Sequence, residues 1–109
     1  LLSNSDFDGL FVASDMMAFG ALRAIEEAGM CIPGDVAVIS FDDIPAAARH
    51  RPALTTIRQP IHQMGSIAAQ TLIDQLENDD TTTPRRIILP TELVLRETTP
   101  DPEKVSTFA

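Results

Sequence analysis

A small α/β fold, with a parallel sheet flanked by helices, is what this sequence predicts, and three observations carry the reading. Residues 36–43 read VAVISFDD, with Val36, Val38, Ile39 and Phe41 in a run that holds no charge before Asp42. Such a run suits a strand buried on both faces, the normal state of a parallel sheet. An earlier apolar run, LFVA at 10–13, leads into an amphipathic helical stretch, so 10–41 reads strand, helix, turn, strand. That order is a βαβ unit, whose crossover should be right-handed. The central run stops in two carboxylates, Asp42 and Asp43. Ligands of open α/β sheets sit beyond the carboxyl ends of the strands, which makes Asp42 a candidate ligand contact.

Taken in order, the elements are these. The run at 10–13 is entered from a turn-like stretch at 6–9 and is expected to be a buried strand. Ser14 follows at an N-cap position, with Asp15 in the first turn where a negative charge meets the helix dipole. The helix is expected over 15–28, with Ala18, Ala21, Leu22 and Ile25 on the sheet-facing stripe and Gly29 as its stop. A second stripe, Met16, Phe19, Gly20 and Arg23, puts two large apolar side chains off that face. Met and Phe are enriched in interface cores, so this stripe is read as a subunit interface. After the central strand come a short helix at 45–50 and an extended run at 54–59, bracketed by Pro52 and Pro60. Ile61, Met64, Gly65, Ala68, Leu72 and Leu76 then mark a long amphipathic helix ending at Glu77. A polar loop, NDDTTTP at 78–84, precedes two short strands at 87–89 and 92–96. The residues from Thr98 on are expected to be a loose tail.

Bulk properties narrow the function. A net charge of −8 and a pI of about 4.4 argue against this segment touching nucleic acid, where clustered Lys and Arg neutralise phosphates. The single cysteine, Cys31, excludes an internal disulfide and fits a reducing compartment. No apolar run approaches the ~20 residues of a membrane helix, and the first residues do not read as a signal peptide. The chain does not begin with Met, and its long helix shows a wide apolar stripe with little to cover it. The domain is therefore expected to be incomplete.

Catalytic signatures are lacking, and no enzymatic activity is expected. No glycine-rich phosphate loop follows a strand, no GxSxG elbow occurs, and no cofactor is expected. His50 and His62 lack metal-ligand spacing with Cys31 or each other, and no metal site is expected. Ser14, Asp15, Asp42 and Asp43 suggest a carboxylate cluster of the kind that accepts phosphoryl groups. That chemistry wants a lysine at a neighbouring strand end, and the only lysine is Lys104. A strand-end carboxylate has another use, accepting charge-assisted hydrogen bonds from paired hydroxyls of sugars or nucleosides.

Five segments in this order, ASDMMAFGALRAIEEAG (13–29), IPGDVAVISFDD (32–43), PALTTIRQP (52–60), MGSIAAQTLIDQL (64–76) and LPTELVLRETT (89–99), closely resemble the carboxyl-terminal part of the effector-binding core of the lactose/galactose repressor family. The resemblance implies a partial periplasmic-binding-protein-like core: residues 1–97 as its carboxyl-terminal portion, with 10–59 in the carboxyl-terminal subdomain, 60–77 a helix packing on an absent amino-terminal subdomain, and 98–109 a tail. It implies a cytoplasmic homodimeric transcriptional regulator that senses a small effector, often a sugar or nucleobase, and reaches operator DNA through a helix-turn-helix outside this chain. Asp42 then matches the carboxylate that hydrogen-bonds the effector. Ser14 matches a position, often Asn or Ser, at the cleft, and Asp15 its acidic neighbour at the helix start; Gln59 matches a residue near the cleft at the crossing between subdomains, and all three are expected to bind the ligand with Asp42. Met16, Phe19, Arg23, Arg49 and His50 fall where the family's subunits meet. The family's usual glycine before the aromatic residue and Asp is Ser40 here, which is expected to crowd the strand slightly. A periplasmic sugar-binding protein of the same fold, or a truncated fragment, is the alternative.

Overall fold

A computed structural model describes residues 7–78 and 85–105. The chain divides into two compact units, one formed by 1–58 with 92–109 and the other by 59–91.

The first unit is organised by a four-stranded sheet of order β1-β2-β3-β4. Its strands are β1 (Gly9–Phe11), β2 (Ala37–Asp42), β3 (Thr55–Arg58) and β4 (Glu92–Val94). Its helices are α1 (Asp15–Glu27), α2 (Pro45–Arg49) and α4 (Pro102–Val105); the long α3 (Ile61–Glu77) belongs to the second unit. β1 and β3 both run parallel to β2, with Leu10 opposite Val38 and Ser40 opposite Thr56. β4 closes the other edge antiparallel, Leu93 facing Ile57.

Local chemistry explains α1 at both ends. Ser14 is the N-cap in extended conformation, and its side chain accepts the Met17 N–H at 3.2 Å. At the far end Gly29 takes a φ of +78°. The Gly29 N–H then reaches the Glu26 carbonyl at 3.0 Å and the Met30 N–H reaches Ile25 at 3.2 Å. These two bonds form a Schellman closure that uses carbonyls a helix end would otherwise leave orphaned. Between the caps, Ala18, Leu22 and Ile25 are fully buried and pack with Val36, Val38, Ala47 and Leu54. Burial of Leu22 or Ile25 contributes about 1.5–3 kcal/mol each.

Three expectations are corrected. The first strand lies one residue earlier and forms the sheet edge rather than its interior, so Phe11 is 61% exposed. No strand forms at 87–89; Ile87 and Leu89 instead line a hollow of about 280 Å³ with Met64, Ile67, Ala68, Thr71 and Arg85, all within the second unit. Apolar side chains there find a helix face, and the backbone makes no ladder. The third correction concerns Thr98, expected to begin a loose tail. It is fully buried. Its carbonyl accepts the Val38 N–H at 2.9 Å, its hydroxyl donates to the Val38 carbonyl at 2.7 Å, and the same oxygen accepts the Thr55 N–H at 2.8 Å. Thr98 thus stitches β2 to β3 where their own ladder has not yet begun. Thr99 adds a hydroxyl contact to Thr55 at 2.8 Å. The polar loop expected at 78–84 lies, past Asn78, outside the described residues, as do the last four residues.

Thr98→Val keeps the shape and removes the hydroxyl, leaving a buried N–H and a buried carbonyl each short of a partner. The expected loss of stability is about 1–3 kcal/mol, read by urea unfolding of the chain. An unchanged midpoint would show the stitch to be dispensable.

Candidate functional site

Because β1, β2 and β3 run parallel, their carboxyl ends share one edge, and Ser14, Asp15, Asp42, Asp43 and Arg58 all fall there. The three aspartates play different parts.

Asp15 is 0% exposed. Its carboxylate accepts three bonds: the Ser40 hydroxyl at 2.5 Å, the Thr56 hydroxyl at 2.7 Å and the Ile44 backbone N–H at 2.9 Å. It also opens α1, where the helix dipole favours its charge. Asp15, expected at the helix start as a ligand contact, lies in the interior and is bound by the protein's own donors. Ser40 is fully buried as well. Rather than simply crowding the strand, its hydroxyl gives Asp15 a donor.

Asp43 belongs to an ion-pair network. Its side chain is 8% exposed; Arg58 Nε donates to it at 2.6 Å and Arg96 Nη2 lies 2.8 Å away. Arg58 also reaches Glu92 at 3.5 Å, and Arg96 Nη1 donates to the Leu54 carbonyl at 3.0 Å. Burial pushes the Asp43 carboxyl up, the largest single effect. The hydrogen bonds and charges of the two arginines together outweigh it and hold the group below its ordinary value.

Asp42 ends β2, part-exposed, with its Cα in register with that of Arg58. Its φ is +131° and that of Asp43 is +61°. Two consecutive residues other than glycine at positive φ are costly, on the order of 1–3 kcal/mol each, and persist only where the surroundings over-determine them. Asp15 and the arginines supply those surroundings.

Ser14 is part-exposed and its hydroxyl serves as the α1 cap. Gln59 begins the second unit, and its carbonyl accepts the Ile61 N–H at 2.9 Å. Of the expected interface residues, Met16 is 69% exposed and Arg49 is also exposed. Arg23 is exposed and donates to Glu27 at 2.9 Å. Phe19 and His50 stack on each other, ring centroids 5.1 Å apart, and His50 Nδ1 lies 3.0 Å from the Pro52 carbonyl. Ser40, Thr56, Arg58 and Arg96 were not singled out as site residues from the sequence. Among the described residues, no three His, Cys, Asp or Glu side chains gather as metal ligands, and no helix is long and apolar enough to cross a membrane.

Residues 3–99 match the family model of the periplasmic binding protein-like domain. The chain is 41% identical over 95 residues to the lactose operon repressor of Rhizobium radiobacter, covering 87% of this chain and 82% of that protein. Among solved structures, a ribose-bound LacI-family transcriptional regulator from Enterococcus faecium superposes with a TM-score of 0.80 at 36% identity, over 90% of this chain and 36% of that one. The lac repressor dimer bound to operator and the anti-inducer ONPF gives a TM-score of 0.75 at 36% identity, over 84% and 32%. The chain thus spans about a third of the solved regulators it resembles.

Asp43→Asn isolates the ion pairs, since Asn tolerates the same positive φ. It should destabilise the chain by about 1–3 kcal/mol at neutral pH. A carboxyl held below its ordinary 3.8 stabilises the fold above that pH, and the contribution fades as pH falls through the lowered value. Urea unfolding at pH 7 and pH 3 should therefore show the variant closing on the native chain in acid. A gap that stays constant would deny the arginines their role.

Proposed function

The chain belongs to the periplasmic-binding-protein-like family of LacI-type regulators, and from that premise we propose that it is the effector-sensing and dimerising part of a cytoplasmic transcriptional regulator. The effector is a small polyhydroxylated molecule, a sugar before all others. One observation carries this: Asp42 ends the central strand at the edge where the parallel strands finish, part-exposed and at a φ of +131°. A carboxylate there accepts two hydroxyls of a pyranose or furanose in charge-assisted hydrogen bonds. Ser14 stands as a further polar contact, and Asp15 as its support.

Regulation follows if the effector binds two arrangements of the dimer unequally, because only a differential affinity shifts an equilibrium. The exposed Met16 and the Phe19–His50 stack, with Arg23 and Arg49 at their margin, form the dimer face. An acidic chain repels phosphate, so operator contact falls to another part of the regulator and this chain acts on it through the dimer.

An NMR titration of the chain with D-ribose should shift the amides of residues 40–44 with a millimolar dissociation constant, about −4 kcal/mol. Asp42→Ala should weaken that binding by about 1–3 kcal/mol. If those amides do not respond, or the variant binds as well, Asp42 is not the effector carboxylate. Met16→Glu should convert the dimer to monomer in sedimentation velocity, because a charge buried in an apolar interface goes unpaired. A variant sedimenting like the native chain would move the interface elsewhere.

A further inference from the structure

We propose that Asp15 is the positioning residue for Asp42: a single buried carboxylate that binds the chain on both sides of Phe41–Asp43, where β2 ends, and so fixes where the Asp42 carboxylate is delivered. The inference rests on the reading of Asp42 as the effector contact and adds to it the residue through which that contact is set. Asp15 is the one aspartate at this edge with no exposure, so it does not itself meet a ligand. Its bonds fall on either side of this strand end. Oδ1 takes the Ser40 hydroxyl, immediately before Phe41, and Oδ2 takes the Ile44 N–H, immediately after Asp43. Oδ1 also takes the Thr56 hydroxyl, and Thr56 stands in register with Ser40 on the neighbouring strand. The carboxylate is thereby tied to β2 and β3 while it holds the exit from the strand end.

Between those two grips the backbone passes through φ +131° at Asp42 and +61° at Asp43, conformations that side-chain-bearing residues rarely adopt. Freed from one grip, this segment would relax toward extended or helical backbone, and the Asp42 carboxylate would move with it. The Arg58 and Arg96 pairs to Asp43 hold the outer side of the strand end. They leave the Ile44 N–H, whose only side-chain acceptor is Asp15 among the contacts described, to close it. Asp15 is also the first residue of α1 and the neighbour of Met16. The same helix that sets the effector carboxylate carries the dimer face.

The test uses NMR on the full chain with Asp15→Ala, and with Ser40→Ala and Thr56→Val as milder variants that each remove one tether. In Asp15→Ala, exchange of the Ile44 amide should rise about tenfold or more relative to the core Val38 amide. The amide–Hα couplings of Asp42 and Asp43, which report φ, should change together. Ser40→Ala and Thr56→Val should give the same pattern more weakly, and they decide the matter if Asp15→Ala does not fold. D-Ribose affinity should fall in Asp15→Ala about as far as in Asp42→Ala, and the double variant should bind no more weakly than either, since a positioning residue acts only through the residue it places. Unchanged couplings at Asp42 and Asp43 would overturn the proposal, and so would faster exchange spread evenly over the chain, which marks a purely structural role. If Asp42→Ala weakens ribose binding and Asp15→Ala does not, the effector reading survives and the positioning role falls. If Asp42→Ala itself binds ribose as before, both fall.

Discussion

The structure depends first on a charge removed from water. A carboxylate buried without partners would cost several kcal/mol, and Asp15 is buried completely. It is tolerated because two hydroxyls and one backbone N–H converge on it and because it opens a helix whose dipole favours it. Hydrogen bonds to a charged group contribute about 1.5–3 kcal/mol apiece, enough together to offset the desolvation. The donors come from β2, from β3 and from the entry to α2. A group that must be satisfied from three elements at once also fixes those elements against each other. That makes the carboxyl edge of this sheet stiff where a pair of loops would otherwise be soft.

Stiffness at this edge is what a strained strand end requires. The positive φ values at Asp42 and Asp43 cost more than most loops store, and the cost is met from both sides, by Asp15 within and by Arg58 and Arg96 without. The ion pairs are unequal partners. Arg58 makes the shorter contact but is 49% exposed and screened by solvent, while Arg96 is mostly sheltered. Aspartates of the same chemistry thus take different duties from their surroundings alone: Asp15 is satisfied inside the fold, and Asp43 is paired with two arginines.

Much of this was legible in the sequence, and the boundary of legibility is physical. The βαβ unit, the Ser14 cap, the Gly29 stop and the strand tip at Asp42 rest on signals within a few residues of each other, and they stand within a residue or two of where they were read. What the sequence withheld depends on partners far apart in the chain. An acidic residue in a first helical turn looks the same whether it faces water or, like Asp15, faces hydroxyls 25 and 41 positions away. Thr98 in a stretch rich in Thr and Pro carries no local sign that it will bridge Val38 and Thr55. The run at 87–89 has strand composition but forms no ladder among the described residues, and composition alone does not supply one. Phe11 reads as core because its run is apolar, yet β1 lies at the sheet edge.

On the proposal that Asp42 meets a sugar, one carboxylate sets a limit on what the contact can do alone. Two charge-assisted hydrogen bonds to a sugar yield a few kcal/mol, and loss of the ligand's translational and rotational freedom consumes a large part of it. The surplus matches millimolar affinity, too weak for a sensor and adequate for one wall of a site. Tight binding needs a second wall, and regulation needs that wall to meet the ligand differently in two states, because equal contact in both shifts nothing. A rigid first wall is then an asset. If the strand end bearing Asp42 yielded on binding, part of the differential contact energy would go into deforming it. On the proposal that Asp15 holds it, that energy would pass to whatever moves, and α1, which begins at Asp15 and carries Met16 and Phe19, would be the element best placed to receive it.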